Sequence, residues 1–85
     1  MQGMTPDDLR AAVLDELRRI ASGEVAPNAG AARVWVMMAE ADYPPEVEEF
    51  RVVVGFASEI EDSPEHAAAY ERDLVAFARE VTASR

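Results

Sequence analysis

The stretch Gly30–Ala41 constrains the fold most, because its side chains are apolar on nearly every side and only Arg33 and Glu40 interrupt it. It also holds the only tryptophan of the chain, Trp35. An element without a continuous polar face is typical of the inside of a core rather than of its surface. We therefore expect this segment at the centre of the fold, with Trp35 largely buried and the other segments packed around it.

Length and composition favour one small globular domain, residues 1–85, because 49% of the residues are hydrophobic. The absence of cysteine excludes a disulfide, a thiolate metal site and a cysteine nucleophile. No apolar run approaches the ~18 residues of a membrane span, and the N-terminal residues lack the pattern of a secretory signal. We expect a cytoplasmic protein that does not bind a membrane.

Two segments begin with the same helix-start pattern, Thr5–Asp7 and Ser63–Glu65. Each supplies a hydroxyl side chain that can cap a helix, then a proline suited to the first position, then an acid that the positive end of the helix dipole favours. Apolar residues at helical spacing follow both starts. The sequence predicts helices over about 6–22, ending before Gly23, and over about 64–83.

Two further helices are predicted between them, over about 28–41 and 45–61, separated by the break at Tyr43–Pro45. A strand is the alternative at residues 34–36 and 52–54, where valine and tryptophan favour pleated surfaces. The alanines and the length favour helix for the first segment. In the second, Phe50, Val53, Val54, Ala57 and Ile60 fall on one helical face, although Val52–Gly55 is the least helical part of the chain. The predicted fold is all-α, a compact four-helix bundle of antiparallel neighbours.

Negative charge is concentrated in one stretch of the chain. The net charge is −9, and residues 40–65 hold nine acids and only one base, Arg51, a balance of −8. Acids in the first turn of a helix meet a favourable dipole, but Glu59, Glu61 and Asp62 lie at the end of a predicted helix, where negative charge is disfavoured. Asp62 has the alternative of capping the next helix. The stretch is either a solvated surface or a partner-binding face.

A surface this acidic repels nucleic acid and anionic lipid, so we expect no direct binding of either. It attracts a basic protein surface and speeds the encounter with it. Tyr43 is the candidate aromatic anchor of such a contact. The candidate partner-binding residues are Asp42, Tyr43, Glu46, Glu49, Glu59, Glu61 and Asp62.

Catalytic and metal-binding patterns are weak. His66 is the only histidine, and its place in a first helical turn favours an exposed helix residue over a general base. The acids from Glu59 to Glu65 match no calcium-loop spacing and lack the turn glycine. The scattered glycines form no phosphate-binding loop. We expect no enzymatic activity, no cofactor and no bound metal.

Three short segments, Gly23-Glu24, Gly30–Arg33 and Gly55–Pro64, resemble a pattern in small bacterial proteins, some of which are similar to immunity proteins. Immunity proteins inhibit a toxin that their own cell secretes. Asp42–Pro44 and Asp62–Pro64 are similar to segments of the colicin-type immunity proteins, which are small acidic helical bundles. This chain departs from them by placing a full helix between the two segments, so no residue roles are transferred.

The resemblance and the charge together predict an acidic protein-binding inhibitor or adaptor. An immunity-type protein would mask a basic surface of a toxin nuclease or another nucleic-acid-handling enzyme. The alternative is a structural or oligomerisation module, for which a homodimer is one form. A small metal-dependent enzyme built on the carboxylates is the third and weakest hypothesis.

Overall fold

Helices make up nearly all of residues 5–83, the part of the chain that the computed structural model describes, and they form an all-α four-helix bundle. The predicted fold class is therefore confirmed, and residues 34–36 and 52–54 are helical. Short 3-10 segments precede the third and fourth α-helices. The bounds are α1 Pro6–Ser22, α2 Pro27–Glu40, a 3-10 segment Pro45–Phe50, α3 Arg51–Asp62, a 3-10 turn Pro64–His66, and α4 Ala67–Ala83.

The start and end of α1 follow from its capping residues. The hydroxyl of Thr5 accepts a hydrogen bond from the Asp8 amide at 3.1 Å, which satisfies one of the free N–H groups of the first turn. Gly23 ends the helix in the left-handed conformation, with φ of 82°, which glycine adopts without steric cost. These are the boundaries that the sequence predicts.

The turn after α2 has no glycine, although its backbone is left-handed. Asp42 and Tyr43 have φ of 61° and 50°, values that cost free energy for residues with a Cβ atom. The Asp42 amide donates to the Ala39 carbonyl at 3.0 Å and the Tyr43 amide to Met38 at 2.9 Å. These bonds end α2 one residue earlier than predicted, while the helix also begins one residue earlier, at Pro27.

The third predicted helix is divided. Residues 45–50 form a 3-10 segment because Val47 has non-helical dihedral angles, φ −116° and ψ 17°. This conformation places the side chains of both Val47 and Phe50 in the core, where they are fully buried. The α-helix proper begins only at Arg51 and continues to Asp62.

The four helices pack as a closed ring, in which α1 and α3 each contact both α2 and α4. The prediction that α2 lies at the centre is wrong, because only Gly30, Ala31, Val34 and Met38 of its 14 residues are buried and Val36 is 55% exposed. Each helix of a ring has an outer side. On the outer side of α2 the exposed residues are mainly alanines, Val36 and the charged residues Arg33 and Glu40.

Gly30 sets the close approach of α1 and α2. A Cβ atom at this position would lie 2.6 Å from Cγ1 of Ile20, which is too close for two carbon atoms.

Among residues 5–83, none of the helices has the length and apolar character that crossing a membrane requires.

Candidate functional site

The acidic stretch of the sequence is divided by α3 into two groups. Asp42, Glu46 and Glu49, the first acidic group, precede the helix, and Glu59, Glu61 and Asp62, the second acidic group, lie in its last turn. The helix has 12 residues, which at 1.5 Å per residue separates its ends by about 18 Å. The two groups therefore lie too far apart to contact a single side chain of a partner together.

Arg10 of α1 engages the first acidic group. Its Nη1 and Nη2 atoms donate to Oε1 and Oε2 of Glu49 at 3.0 and 2.8 Å, and Nη1 also donates to the Glu46 carbonyl at 3.0 Å. The guanidinium lies over the ring of Phe50, 5.1 Å from its centroid. The hydrogen bonds to Glu49 raise the pKa of Arg10. Glu49 thus joins α1 to the 3-10 segment, which is a role in the fold.

Tyr43 is also engaged within the chain. Its hydroxyl accepts a hydrogen bond from Nε1 of Trp35 at 3.1 Å, and the guanidinium of Arg51 lies 5.2 Å from the centre of its ring. The ring is partly buried against the core. These contacts hold the left-handed turn in place, since strained backbone persists only where the surroundings fix it.

The second acidic group has a different environment. All three side chains are exposed, and within residues 5–83 no arginine forms an ion pair with any of them. Ser63, which precedes the 3-10 turn, makes no side-chain capping bond, and Asp62 makes none with the described residues. The alternative role of Asp62 as a helix cap is therefore not seen.

Tyr70 of α4 reports the electrostatic field of this group. The pKa of its hydroxyl is raised, first by the negative charge of Glu59 and then by burial, with a smaller contribution from Glu65. A tyrosine that loses its proton here would add a second negative charge beside a carboxylate. The field at this end of α3 is therefore negative enough to disfavour a further anion.

A groove of about 440 Å³ opens beside the second acidic group, between α2, α3 and α4. Its lining is mainly apolar, and the carboxylate residues Glu61 and Glu71 belong to it. Trp35 lines it as well, so the tryptophan is partly buried rather than enclosed at the centre of the core. The complete lining is Asn28, Ala32, Trp35, Ala57, Ile60, Glu61, Pro64, Ala67 and Glu71.

Sequence reasoning missed two acids that the fold places at cavities. Glu71 follows Ala67 by one turn of α4 and reaches the same groove. Glu16 is only 4% exposed, and its carboxylate contacts Arg19 at 3.5 Å and Arg33 at 3.4 Å. Glu16 stands seven residues after Leu9, on the apolar stripe of α1, and this spacing was the available signal.

The described residues contain no cluster of three or more histidine, aspartate or glutamate side chains that is arranged to hold a metal ion. His66 is exposed in the 3-10 turn. The most developed feature is thus an apolar groove with acids at its edge, which suits binding by contact and charge.

No protein-family model, characterised protein or solved structure matches the chain. The likeness to immunity proteins therefore rests on the short segments of the sequence given above. The groove and the charges around it are the features of the described residues that bear on function.

Proposed function

We propose that the protein acts in the cytoplasm as an acidic inhibitor or adaptor that binds a basic protein surface through the groove at the end of α3. One observation carries the proposal. The apolar groove includes Trp35 in its lining and has Glu61 and Glu71 at its edge, and it opens beside exposed carboxylates that no arginine of residues 5–83 pairs with.

The two parts of the site have different physical roles. Burial of apolar surface and of the tryptophan ring supplies the affinity, because tryptophan is enriched among the hot-spot residues of protein interfaces, which the partner desolvates fully. The carboxylates attract the partner, orient it and exclude acidic competitors. The expected occupant is a partner segment that carries an apolar side chain flanked by arginine or lysine.

In an immunity-type role, this binding would inhibit the partner. Nucleases and other nucleic-acid-handling enzymes carry basic surfaces that contact phosphates. A protein with a net charge of −9 and exposed carboxylates beside an apolar groove would occupy such a surface in place of the phosphates. Inhibition would then result from occlusion of the nucleic-acid site.

Trp35 provides a direct test of groove binding, since it is the only tryptophan and lines the groove. The probes are two helical peptides with identical apolar residues, one with arginine and the other with glutamate at the polar positions. We expect the arginine peptide to change the Trp35 emission up to a saturation value. Its binding should weaken as salt is raised. The glutamate peptide should cause no change. Equal responses to both peptides, or none to either, would refute the proposal.

A matched pair of variants locates the binding. Glu61→Gln with Glu71→Gln removes both carboxylates of the groove, and Glu24→Gln with Glu48→Gln removes the same charge from exposed positions outside it. We expect the first pair to weaken the arginine peptide roughly 3–10-fold at low salt, the range for two exposed charges. The control pair should have a smaller effect.

The inhibitory role is tested separately with the natural partner. The candidate partners are the proteins that the wild-type chain captures from the source cells and that the Glu61→Gln, Glu71→Gln variant does not capture. We expect a basic protein whose binding to nucleic acid falls stoichiometrically as this chain is added. A captured partner with unchanged nucleic-acid binding would exclude the inhibitor and leave the adaptor.

A further inference from the structure

The outer face of α2, formed by Ala29, Ala32, Arg33, Val36 and Glu40, is exposed along the whole helix. Ala29, Arg33, Val36 and Glu40 follow one another at intervals of three and four, and Ala32 precedes Val36 by four, so the five residues share one side of the helix. Val36 is 55% exposed, the largest exposure among the large apolar residues of the described chain. A shallow groove of about 410 Å³ adjoins this face, lined by Glu16, Ala32, Arg33, Val36 and Met37.

The charges on this face differ from those of residues 41–65, which hold most of the negative charge of the chain. Residues 27–39 contain no acid and one base, Arg33, and Glu40 balances that base. The net charge of the face is thus zero in a chain whose total is −9. Neither a strongly basic nor a strongly acidic partner is favoured here, and two copies of the chain can approach through this face with little local repulsion.

The order of the residues is self-complementary. Consider two α2 helices that lie antiparallel with a two-fold axis beside Val36. Each residue then faces a residue of the other copy, and the two residue numbers add to about the same total in every facing pair. Arg33, whose side chain is 58% exposed and contacts Glu16 of its own copy through Nη1 at 3.4 Å, then lies opposite Glu40 of the other copy. Val36 lies opposite Val36 and Met37. A two-fold interface requires a patch that complements itself in this way. The small alanines allow the two backbones to approach closely.

We propose that the outer face of α2 joins two copies of this chain in a two-fold symmetric dimer with antiparallel α2 helices. Val36 and Met37 of one copy fill the shallow groove of the other, and two Arg33–Glu40 pairs flank them. The inference does not depend on the groove at the end of α3. A contact through one helix of 14 residues, about 21 Å long, is small, so we expect a dissociation constant of about micromolar or weaker.

Salt distinguishes this dimer from binding of a basic partner. Two copies with a net charge of −9 each repel one another, and added salt screens that repulsion over about 10 Å at 0.1 M. The dimer is therefore expected to tighten as salt is raised, whereas binding of a basic peptide weakens. Sedimentation equilibrium of the full chain up to about 1 mM, in the range of weak interfaces, measures the change.

The two most exposed valines provide matched variants. Val36→Glu places a charge in the dimer interface, and Val52→Glu places the same charge on α3, where Val52 is 45% exposed. We expect Val36→Glu to weaken association at least about tenfold, the equivalent of ~1.4 kcal/mol, and Val52→Glu to leave it unchanged. Glu40→Arg, which sets arginines opposite each other across the axis, should also weaken it. Circular dichroism checks that each variant is folded.

Cysteine cross-linking gives a second test that does not depend on a destabilising substitution. The chain has no cysteine, so Val36→Cys and Val52→Cys each introduce a single thiol at an exposed position. We expect rapid oxidation of Val36→Cys to a disulfide dimer and slow oxidation of Val52→Cys. A chain that stays monomeric at about 1 mM, a dimer that Val36→Glu or Glu40→Arg leaves intact, or faster cross-linking at position 52 would overturn the proposal.

Discussion

The two acidic groups lie at opposite ends of α3 and differ in what faces them. Glu49 of the first group is held by both terminal nitrogens of Arg10, whereas within residues 5–83 no arginine pairs with Glu59, Glu61 or Asp62 of the second. Carboxylates of the same type, separated by only ten residues, thus have different surroundings. A run of acids in a sequence is not evidence of one surface.

The helix itself accounts for part of the difference. Glu46 and Glu49 lie near the positive end of the helix dipole, and Glu59 and Glu61 lie near the negative end. Folding is therefore favoured by the first group and opposed by the second. Residues that oppose folding and form no ion pair with an arginine of residues 5–83 are the better candidates for a function.

Trp35 connects the two regions, and its removal is expected to have the largest effect. Its Nε1 donates to Tyr43 near the first group, and its ring lines the groove beside the second. We expect Trp35→Ala to lower the free energy of unfolding by about 2–4 kcal/mol, less than a fully enclosed tryptophan would cost. Urea denaturation followed by circular dichroism measures it.

Trp35→Phe is the matched control, because it keeps most of the ring volume and loses the hydrogen bond. Its cost should be about 1 kcal/mol. If Trp35→Ala and Trp35→Phe cost the same, the ring does not support the groove. Iodide should quench the native Trp35 emission in part, in keeping with partial burial.

Breaking the first group is expected to have the next largest effect. Arg10→Gln should lower stability by about 1–2 kcal/mol, because it removes three charge-assisted hydrogen bonds, but the pair is partly exposed. Glu49→Gln should cost slightly less. A double-mutant cycle should give a coupling of about 0.5–1.5 kcal/mol. Glu48→Gln, an exposed neighbour, is the control, and an equal cost for Glu48→Gln would remove the special role of Glu49.

The bundle was predictable from the sequence because its signals are local. Thr5, Pro6 and Gly23 fix the ends of α1 by capping and backbone freedom alone. The position of α2 was not predictable in the same way. Its composition favours a central helix. The four helices, however, close into a ring, in which no helix is surrounded by the others on all sides. The 3-10 conformation before α3 depends on the burial of Val47 and Phe50, which is a tertiary effect.

The candidate site was predictable in part. Glu61 was selected from charge alone and lies at the groove, whereas Glu71 and Trp35 reach it only through the packing of α2 and α4 on α3. The engagement of Glu49 by Arg10 joins residues 39 positions apart. No local pattern contains such a pairing.

Neutralising the second group should stabilise the protein. Glu61→Gln with Asp62→Asn removes repulsion between carboxylates and an unfavourable interaction with the helix dipole. We expect a gain of a few tenths to about 1 kcal/mol, largest at low salt. Chemical denaturation at two salt concentrations measures it without knowledge of the partner. A loss of stability would mean that these charges favour folding. The two acidic groups would then not differ in their effect on stability.

The smallest expected effect concerns the field at the second group. The pKa of Tyr70 is raised chiefly by the charge of Glu59, so Glu59→Gln should return it towards the usual value near 10. Because the folded-state pKa is the higher one, the stability that Tyr70 contributes is complete below pH ~10 and is lost as the pH rises through the folded pKa. The chain has two tyrosines, and tyrosinate absorbance follows both during an alkaline titration.

We expect one of the two tyrosine transitions to move to lower pH in Glu59→Gln and neither to move in Glu24→Gln, which removes an exposed carboxylate from the α1–α2 connection. Tyr70→Phe identifies the transition by deleting it. The shift should shrink in high salt, since the charge acts at a partly exposed site. A transition that keeps its pH in Glu59→Gln would show that the second acidic group exerts no strong field on α4, and that the two ends of α3 differ only in the arginine that the first one holds.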